Sequence, residues 1–233
     1  MKRRLIQVLA LGLTVIFVST AIAVAQELAV IKLPAPQMEG GMPLMQALKE
    51  RQTIRDYTAE KLSPQVLSNL LWAAFGINRP ENGKRTAPSA VNWQEIDVYV
   101  FLQEGTYLYD AKANELKPVL AGDNRGATGS QPFVAGAPLN LVFVADYTRM
   151  GKSDEANKTF YSACDTGFIS QNVYLYCASA GLGTVVRGYV DKEGVAKLLN
   201  LRPEQKVTLA QTVGYPKLET PPAKPPEKTG QTK

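Results

Sequence analysis

At 233 residues and an apolar fraction of 45%, the chain can build one large domain with a real core rather than two. Its 26 lysines and arginines exceed 21 acidic residues only modestly, and three of the cations (Lys2, Arg3, Arg4) sit at the extreme N-terminus, so no nucleic-acid-binding surface is called for. Histidine is absent, which excludes Ser-His-Asp and Cys-His nucleophilic sites, histidine-ligated metal centres and histidine general bases.

Taken in chain order, Lys2-Arg3-Arg4 is followed by an apolar run from Leu5 to Ala25 that ends in Ala23-Val24-Ala25. That is the pattern of a secretory signal peptide over residues 1–25, which would make the protein exported and periplasmic. An uncleaved membrane anchor is the alternative, since about twenty apolar residues span a bilayer, and Arg3-Arg4 also admits twin-arginine export. Residues 26–43, with Pro34, Pro36, Gly40 and Gly41, predict an extended arm. Leu44 to Arg51 predicts a helix with Leu44, Ala47 and Leu48 on one apolar face. Ser63 and Pro64 mark the start of a second helix, whose core face is Val66, Leu67, Leu70, Leu71, Ala74 and Phe75, with Gly76 as its stop.

Asn78 to Ser89 is polar and reads as a loop. Ile96–Leu102, Thr106–Tyr109 and Leu116–Leu120 predict a strand meander turning at Glu104-Gly105 and at Lys112–Asn114. Leu139 to Ala145 is nearly continuous in apolar residues and predicts a strand buried on both faces. Thr159 to Ala180 predicts a long helix whose all-round apolarity implies burial on more than one side. Thr184–Gly188, Lys192–Leu199 and Val207–Val213 then predict strand, helix and strand. The order argues an α+β domain over 44–218, with helices packed around a mostly antiparallel central sheet. Residues 219–233, rich in proline and lysine, predict a disordered tail. Cys164 and Cys177 fall thirteen residues apart on one predicted helix. That puts them about 20 Å apart, too far for a disulfide, and predicts two buried free thiols.

The stretch RQTIRDY, Arg51 to Tyr57, carries two arginines four residues apart with Thr53 between them. One helical turn apart, two guanidinium forks can pair the oxygens of a phosphate monoester while a hydroxyl and backbone N–H groups take the rest. Two arginines near a helix end would equally complement the helix dipole.

Together with RTAPSAVNWQ (Arg85 to Gln94), this stretch resembles the nitroreductase family of flavin-dependent enzymes. That family opens with an R-x-S/T-x-R cradle, here Arg51, Thr53 and Arg55, followed by a P-S-x-x-N-x-Q segment, here Pro88, Ser89, Asn92 and Gln94. The run LWAAFGINR (Leu71 to Arg79) is most similar to the branch containing the dehydrogenases of azole-peptide biosynthesis. The resemblance covers roughly Leu44 to Pro216.

It implies a nitroreductase-like fold, FMN as cofactor, and a homodimer with flavin sites at the interface. The phosphate would rest on Arg51, Thr53 and Arg55, with Gln52 reaching the ribityl chain or ring edge. Pro88, Ser89 and Asn92 of a second copy would close the pocket against the isoalloxazine ring. VVRGYVD, Val185 to Asp191, matches the family's loop at flavin N5, so Val186, Arg187 and Gly188 would line that edge, with the backbone N–H groups of Arg187 and Gly188 pointing at N5 and O4. Arg187 stands where many relatives carry an acidic residue or glycine; it would strengthen anion stabilisation or favour an acidic substrate, or else be an exposed arginine at a strand end. Gln131 would reach the pyrimidine edge or ribityl hydroxyls, and Lys217 is the one basic residue well placed to add to the phosphate. Asp165, Gln171 and Asn172 would be contacts across the dimer. The activity implied is an FMN-dependent oxidoreductase passing hydride through N5 between a donor, NAD(P)H or the substrate itself, and a small-molecule acceptor. The alternative is a non-catalytic flavin- or small-ligand-binding envelope protein on the same fold.

Overall fold

The structure, a computed structural model, describes residues 28–217; the leader expected over 1–25 and the tail expected over 219–233 lie outside the described residues. In chain order the elements are β1 (Ile31–Lys32), α1 (Leu44–Glu50), α2 (Pro64–Phe75), β2 (Ile77–Arg79), β3 (Lys84–Arg85), β4 (Ile96–Phe101), β5 (Gly105–Asp110) and β6 (Glu115–Ala121). Then follow α3 (Pro132–Gly136), β7 (Leu139–Asp146), α4 (Glu155–Ser179), β8 (Gly183–Arg187), α5 (Lys192–Leu198) and β9 (Gln205–Gly214). Seven strands form one sheet in the order β1-β6-β5-β4-β7-β9-β8, and β2 pairs with β3 alone. Every pairing is antiparallel, so the predicted α+β architecture stands.

The alternation of side chains along β4 and β7 explains how the sheet is covered. Val98, Val100, Leu141 and Phe143 point to one side, where they pack with Leu70, Leu71 and Phe75 of α2 and with Ile169 and Val173 of α4. Tyr99, Phe101, Val142 and Val144 point to the other, where they meet Val195 of α5 and Leu199. Both faces of β7 are therefore buried, and this is why its sequence is an unbroken apolar run. α2 starts as expected: Ser63 Oγ accepts the Val66 N–H at 3.3 Å and Pro64 occupies the first turn.

Several elements differ from expectation for identifiable reasons. The extended arm adds a strand, with Ile31 opposite Leu116 and Lys32 opposite Glu115, and so covers the edge of β6. The segment expected as loop before Ser89 contains the β2–β3 hairpin, whose short polar strands lack a period to read. α4 begins at Glu155, ahead of the predicted Thr159, because the Asp154 carboxylate caps it by accepting the Asn157 N–H at 2.8 Å. α4 is also less enclosed than its composition suggested: Phe160 is 61% and Phe168 48% exposed. On α1 only Ala47 is buried, while Leu44 and Leu48, expected on its core face, are 63% and 45% exposed. Both cysteines lie on α4 as free thiols, but only Cys177 is buried; Cys164 is half-buried.

Candidate functional site

α1 ends at Glu50, and Arg51 (φ −58°, ψ 118°) begins an irregular, extended segment. Arg51 and Arg55 are therefore not one helical turn apart, and the helical spacing expected of the pair is corrected to that of a straightened chain. The segment is pinned along its length. Ile54 N–H donates to Thr184 O at 3.0 Å, Tyr57 bridges to Pro216, and Lys217 N–H donates to Asp56 O at 3.1 Å. Lys217 thus lies beside the cradle, where its ammonium pairs with Asp56 at 2.9 Å. Ile54 and Tyr57 pack with Val185, Ala137 and Phe133, which holds the segment against β8.

Tyr174 of α4 organises this region, and no sequence signal pointed to it. The Arg51 guanidinium lies 5.5 Å from the centre of its ring. Its hydroxyl is 3.1 Å from Thr53 Oγ1 and accepts the Val186 N–H at 3.1 Å. One phenol therefore ties the arginine segment to the end of β8. A polar tip on an otherwise buried helix face is the signal that would have found it. Among the described residues neither Arg51 nor Arg55 forms an ion pair. Gln52, Ile54, Tyr174, Thr184 and Pro216 line a cleft of about 270 Å³.

β8 is the last strand of the sheet, so every second backbone group faces away from β9. Thr184 O and Val186 N–H use that edge for Ile54 and Tyr174, and β8 ends one residue later, with Gly188 in the bend that follows. Val186 N–H is committed to Tyr174, and of the two expected donors Arg187 N–H faces β9. The Arg187 side chain is not the exposed arginine expected at a strand end, being only 3% exposed. Its guanidinium donates to Thr128 O (2.6 Å), Thr128 Oγ1 (3.3 Å), Asn140 Oδ1 (3.2 Å) and, through Nε, Thr212 Oγ1 (3.1 Å). All four partners are neutral. Burial pulls its pKa down to about 10, with Tyr57 acting in the opposite sense, so it remains a cation at neutral pH. Gly129 is the residue that permits this contact, since a Cβ there would lie 2.1 Å from the guanidinium. The anchored loop leads to Gln131, whose Oε1 is buried without a partner. Gly126, Gly129, Ser130, Tyr189 and Asp191 line a second cleft, of about 470 Å³.

The Pro88–Gln94 segment forms a turn with Val91, Asn92 and Gln94 at φ of 52°, 59° and 49°. Asparagine tolerates this region, but a β-branched valine does so only at a cost on the order of 1–3 kcal/mol, so other contacts must hold the turn. Ser89 Oγ accepts the Gln94 N–H (2.9 Å), Asp165 Oδ2 accepts the Ala90 N–H (2.9 Å), and Arg149 reaches Gln94 O (3.0 Å). Trp93 stacks edge-on against Tyr161 at 5.9 Å. Pro88, Val91 and Asn92 stay exposed. Neither cleft is lined by any residue of this turn, so one chain does not bring Pro88, Ser89 and Asn92 to the arginine segment.

Asp165, expected to reach across a dimer, is only 2% exposed and serves its own chain; Gln171 is exposed and Asn172 half-buried. Beside Asp165 lies Glu95, fully buried, with neither carboxylate oxygen holding a conventional donor. Burial first, and the neighbouring Asp165 carboxylate second, push Glu95 up to about 7; burial also raises Asp165.

These features define an α+β protein in which one tyrosine joins the arginine segment to the edge strand β8. The nitroreductase family model matches residues 48–215, and the chain belongs to that family. A crystal structure from Ralstonia eutropha JMP134, described as of a nitroreductase, superposes with a TM-score of 0.78 at 44% identity, covering 81% of this chain and 90% of that one. A Methanocaldococcus jannaschii protein classed as a nitroreductase is 29% identical over 182 residues, 74% of this chain and 91% of its own length. A Desulfovibrio desulfuricans structure in complex with FMN shares the fold at a TM-score of 0.55 and 23% identity, covering 77% of this chain and 89% of that one.

Proposed function

We propose that this protein is an FMN-dependent oxidoreductase, working as a homodimer, that passes hydride through flavin N5 between a donor and a small-molecule acceptor. The observation that carries the reading is the Tyr174 hydroxyl, which joins Thr53 of the arginine segment to Val186 at the end of β8. It makes one continuous surface of the two features that a flavin mononucleotide needs: cations for its phosphate and a donor edge for its ring. The donor set fits. Arg51 and Arg55 have no acidic partner among the described residues, and the buried Gln131 Oε1 has none of any kind.

Gly188 adds support. It lies outside the left-handed region, and a Cβ placed on it would meet nothing nearer than Leu209 Cδ2 at 3.8 Å. Neither backbone nor packing therefore demands a glycine, whereas a flat ring lying against the backbone does. When bound, the flavin supplies the hydride chemistry. The chain's own residues bind and orient it: Arg51 and Arg55 pair the phosphate, Gly188 N–H donates to the ring edge, and the buried Arg187 cation favours negative charge developing nearby. The Pro88–Asn92 turn of a second copy closes the pocket. Leu44, Met45 and Leu48 on α1, with Phe160 and Phe168 on α4, leave an apolar surface that a second copy would bury.

The run LWAAFGINR lies in α2 and β2, where Leu71, Ala74 and Phe75 are core. Its likeness to azole-peptide dehydrogenases is therefore carried by packing rather than by a reacting group. The basic and apolar leader supports export, and nicotinamide cofactors are scarce outside the cytoplasm, which favours another donor or direct dehydrogenation of the substrate.

The test is to load the purified protein with FMN, reduce it with NADH, NADPH or dithionite, and follow the flavin spectrum as candidate acceptors are added. Turnover supports the enzyme; a flavin that binds but never reoxidises with any acceptor supports a carrier. In the same assay Gly188→Ala should weaken FMN binding about tenfold, roughly 1.4 kcal/mol, while the melting temperature moves by less than about 2 °C. Equal affinity in the two proteins would remove Gly188 from the site.

A further inference from the structure

We propose that Glu95 and Asp165 are positioning residues that share one proton and thereby hold the Pro88–Gln94 turn in its left-handed form, ready to close the flavin pocket of a second copy. The inference rests on the reading above for what the turn does, but not for how it is held. Two carboxyl groups are buried side by side, and the donor set around them is too small for two charges. Asp165 accepts one backbone N–H, from Ala90, and the Glu95 carboxylate has no donor beyond a poorly aligned approach of its own backbone N–H.

The surrounding cations are engaged elsewhere. Arg149 faces Glu95 from the turn after β7, yet it pairs with Asp97 at 2.7 Å and lies 3.7 Å from Asp146, which also holds Arg202 at 2.6 Å. Arg85 of β3 donates to Gln94 Oε1 and Phe75 O. A proton on Glu95, donated to Asp165, satisfies both groups at once. Asp165 is then a carboxylate whose grip on Ala90 N–H fixes the residue just before Val91, where the backbone is strained. Tyr161 and Asp165 sit one turn apart on α4, so Trp93 and Ala90 are held by the same helix face.

Glu95 has a folded-state pKa of about 7 against 4.5 in the open chain. A carboxyl raised in this way favours the closed turn fully below its unfolded value and loses that contribution as pH rises through the folded one. The turn should therefore be tight near pH 5 and loose near pH 8.

The experiment is hydrogen–deuterium exchange on the full chain, wild type against Glu95→Gln, which mimics the protonated acid at every pH. At pH 5 the Ser89–Gln94 amides of the two proteins should exchange alike. At pH 8 those of the wild type should exchange at least about tenfold faster, the factor that one pH unit of linked proton uptake supplies. FMN dissociation constants should follow the same pattern, and the titration of the FMN phosphate, common to both proteins, cancels in the comparison. If wild type and Glu95→Gln track each other from pH 5 to pH 8, the shared proton is wrong. Should the variant not fold, the wild-type turn compared with its own β7 over the same range decides instead, and a constant ratio overturns the proposal. A wild type that binds no FMN at any pH counts against the flavin reading, and the exchange arm alone then decides the pair.

Discussion

Replacing Arg51 and Arg55 together by alanine should strip the protein of flavin while leaving it folded. Each guanidinium offers charge-assisted hydrogen bonds worth about 1.5–3 kcal/mol. Losing both should weaken FMN by about two to four orders of magnitude. Stability should change little, because Arg55 is exposed and neither arginine has an acidic partner among the described residues. What the substitution removes from the fold is the Arg51 guanidinium over the Tyr174 ring, a partly exposed cation–π pair of about 0.5–1 kcal/mol. Isothermal titration with FMN, and with riboflavin lacking the phosphate, separates the parts of the ligand: the variant should lose the wild type's preference for the phosphorylated form. An unchanged preference would mean that the arginines do not hold the phosphate. Added salt should weaken wild-type binding and leave the double variant nearly insensitive, since screening acts on the charge pairs that the variant lacks.

Arg187→Leu should instead strike the fold. Removing the guanidinium leaves Thr128 O without that donor and takes one of two hydrogen bonds from each of Asn140 Oδ1 and Thr212 Oγ1, which still bond each other at 2.6 Å. A buried acceptor left unpaired costs about 1–3 kcal/mol, and the lost charge-assisted bonds to the other two oxygens add to it. The hydrophobic burial of leucine and the relief of a buried unpaired charge offset part of that loss. A net destabilisation of about 3 kcal/mol should lower the melting temperature by roughly 6–12 °C for a domain of this size. Arg187→Lys should fall between, because an ammonium is a point donor and cannot fork to three acceptors. A leucine variant that melts with the wild type would show that the loop at Thr128 does not depend on the arginine.

The candidate site was legible as residue types, and little of it as geometry. The R-x-T-x-R and P-S-x-x-N-x-Q motifs singled out two stretches, and the first proved extended where a helical turn was expected. Arg51 takes ψ of 118°, so side-chain spacing there follows a straightened chain. Arg187 was legible as an unusual residue at the end of β8, but its direction was not. A strand alternates its side chains, and which side is interior depends on what packs there. The exposed Leu44 and Leu48 carry the same lesson: a 3.6-residue period marks an apolar face without saying what covers it.

Helices capped by Ser63 and Asp154, the meander, the doubly buried β7 and the identity of the cationic segment are written in neighbours a few residues apart, where local sterics and hydrogen bonds decide the outcome. The Thr53–Tyr174 contact spans 121 residues, the Ala90–Asp165 contact 75 and the Arg187–Asn140 contact 47. Contacts of that span exist only once sheet order has chosen β8 as an edge and laid α4 across one face. No local period encodes that choice, because it is made by the packing of the whole core.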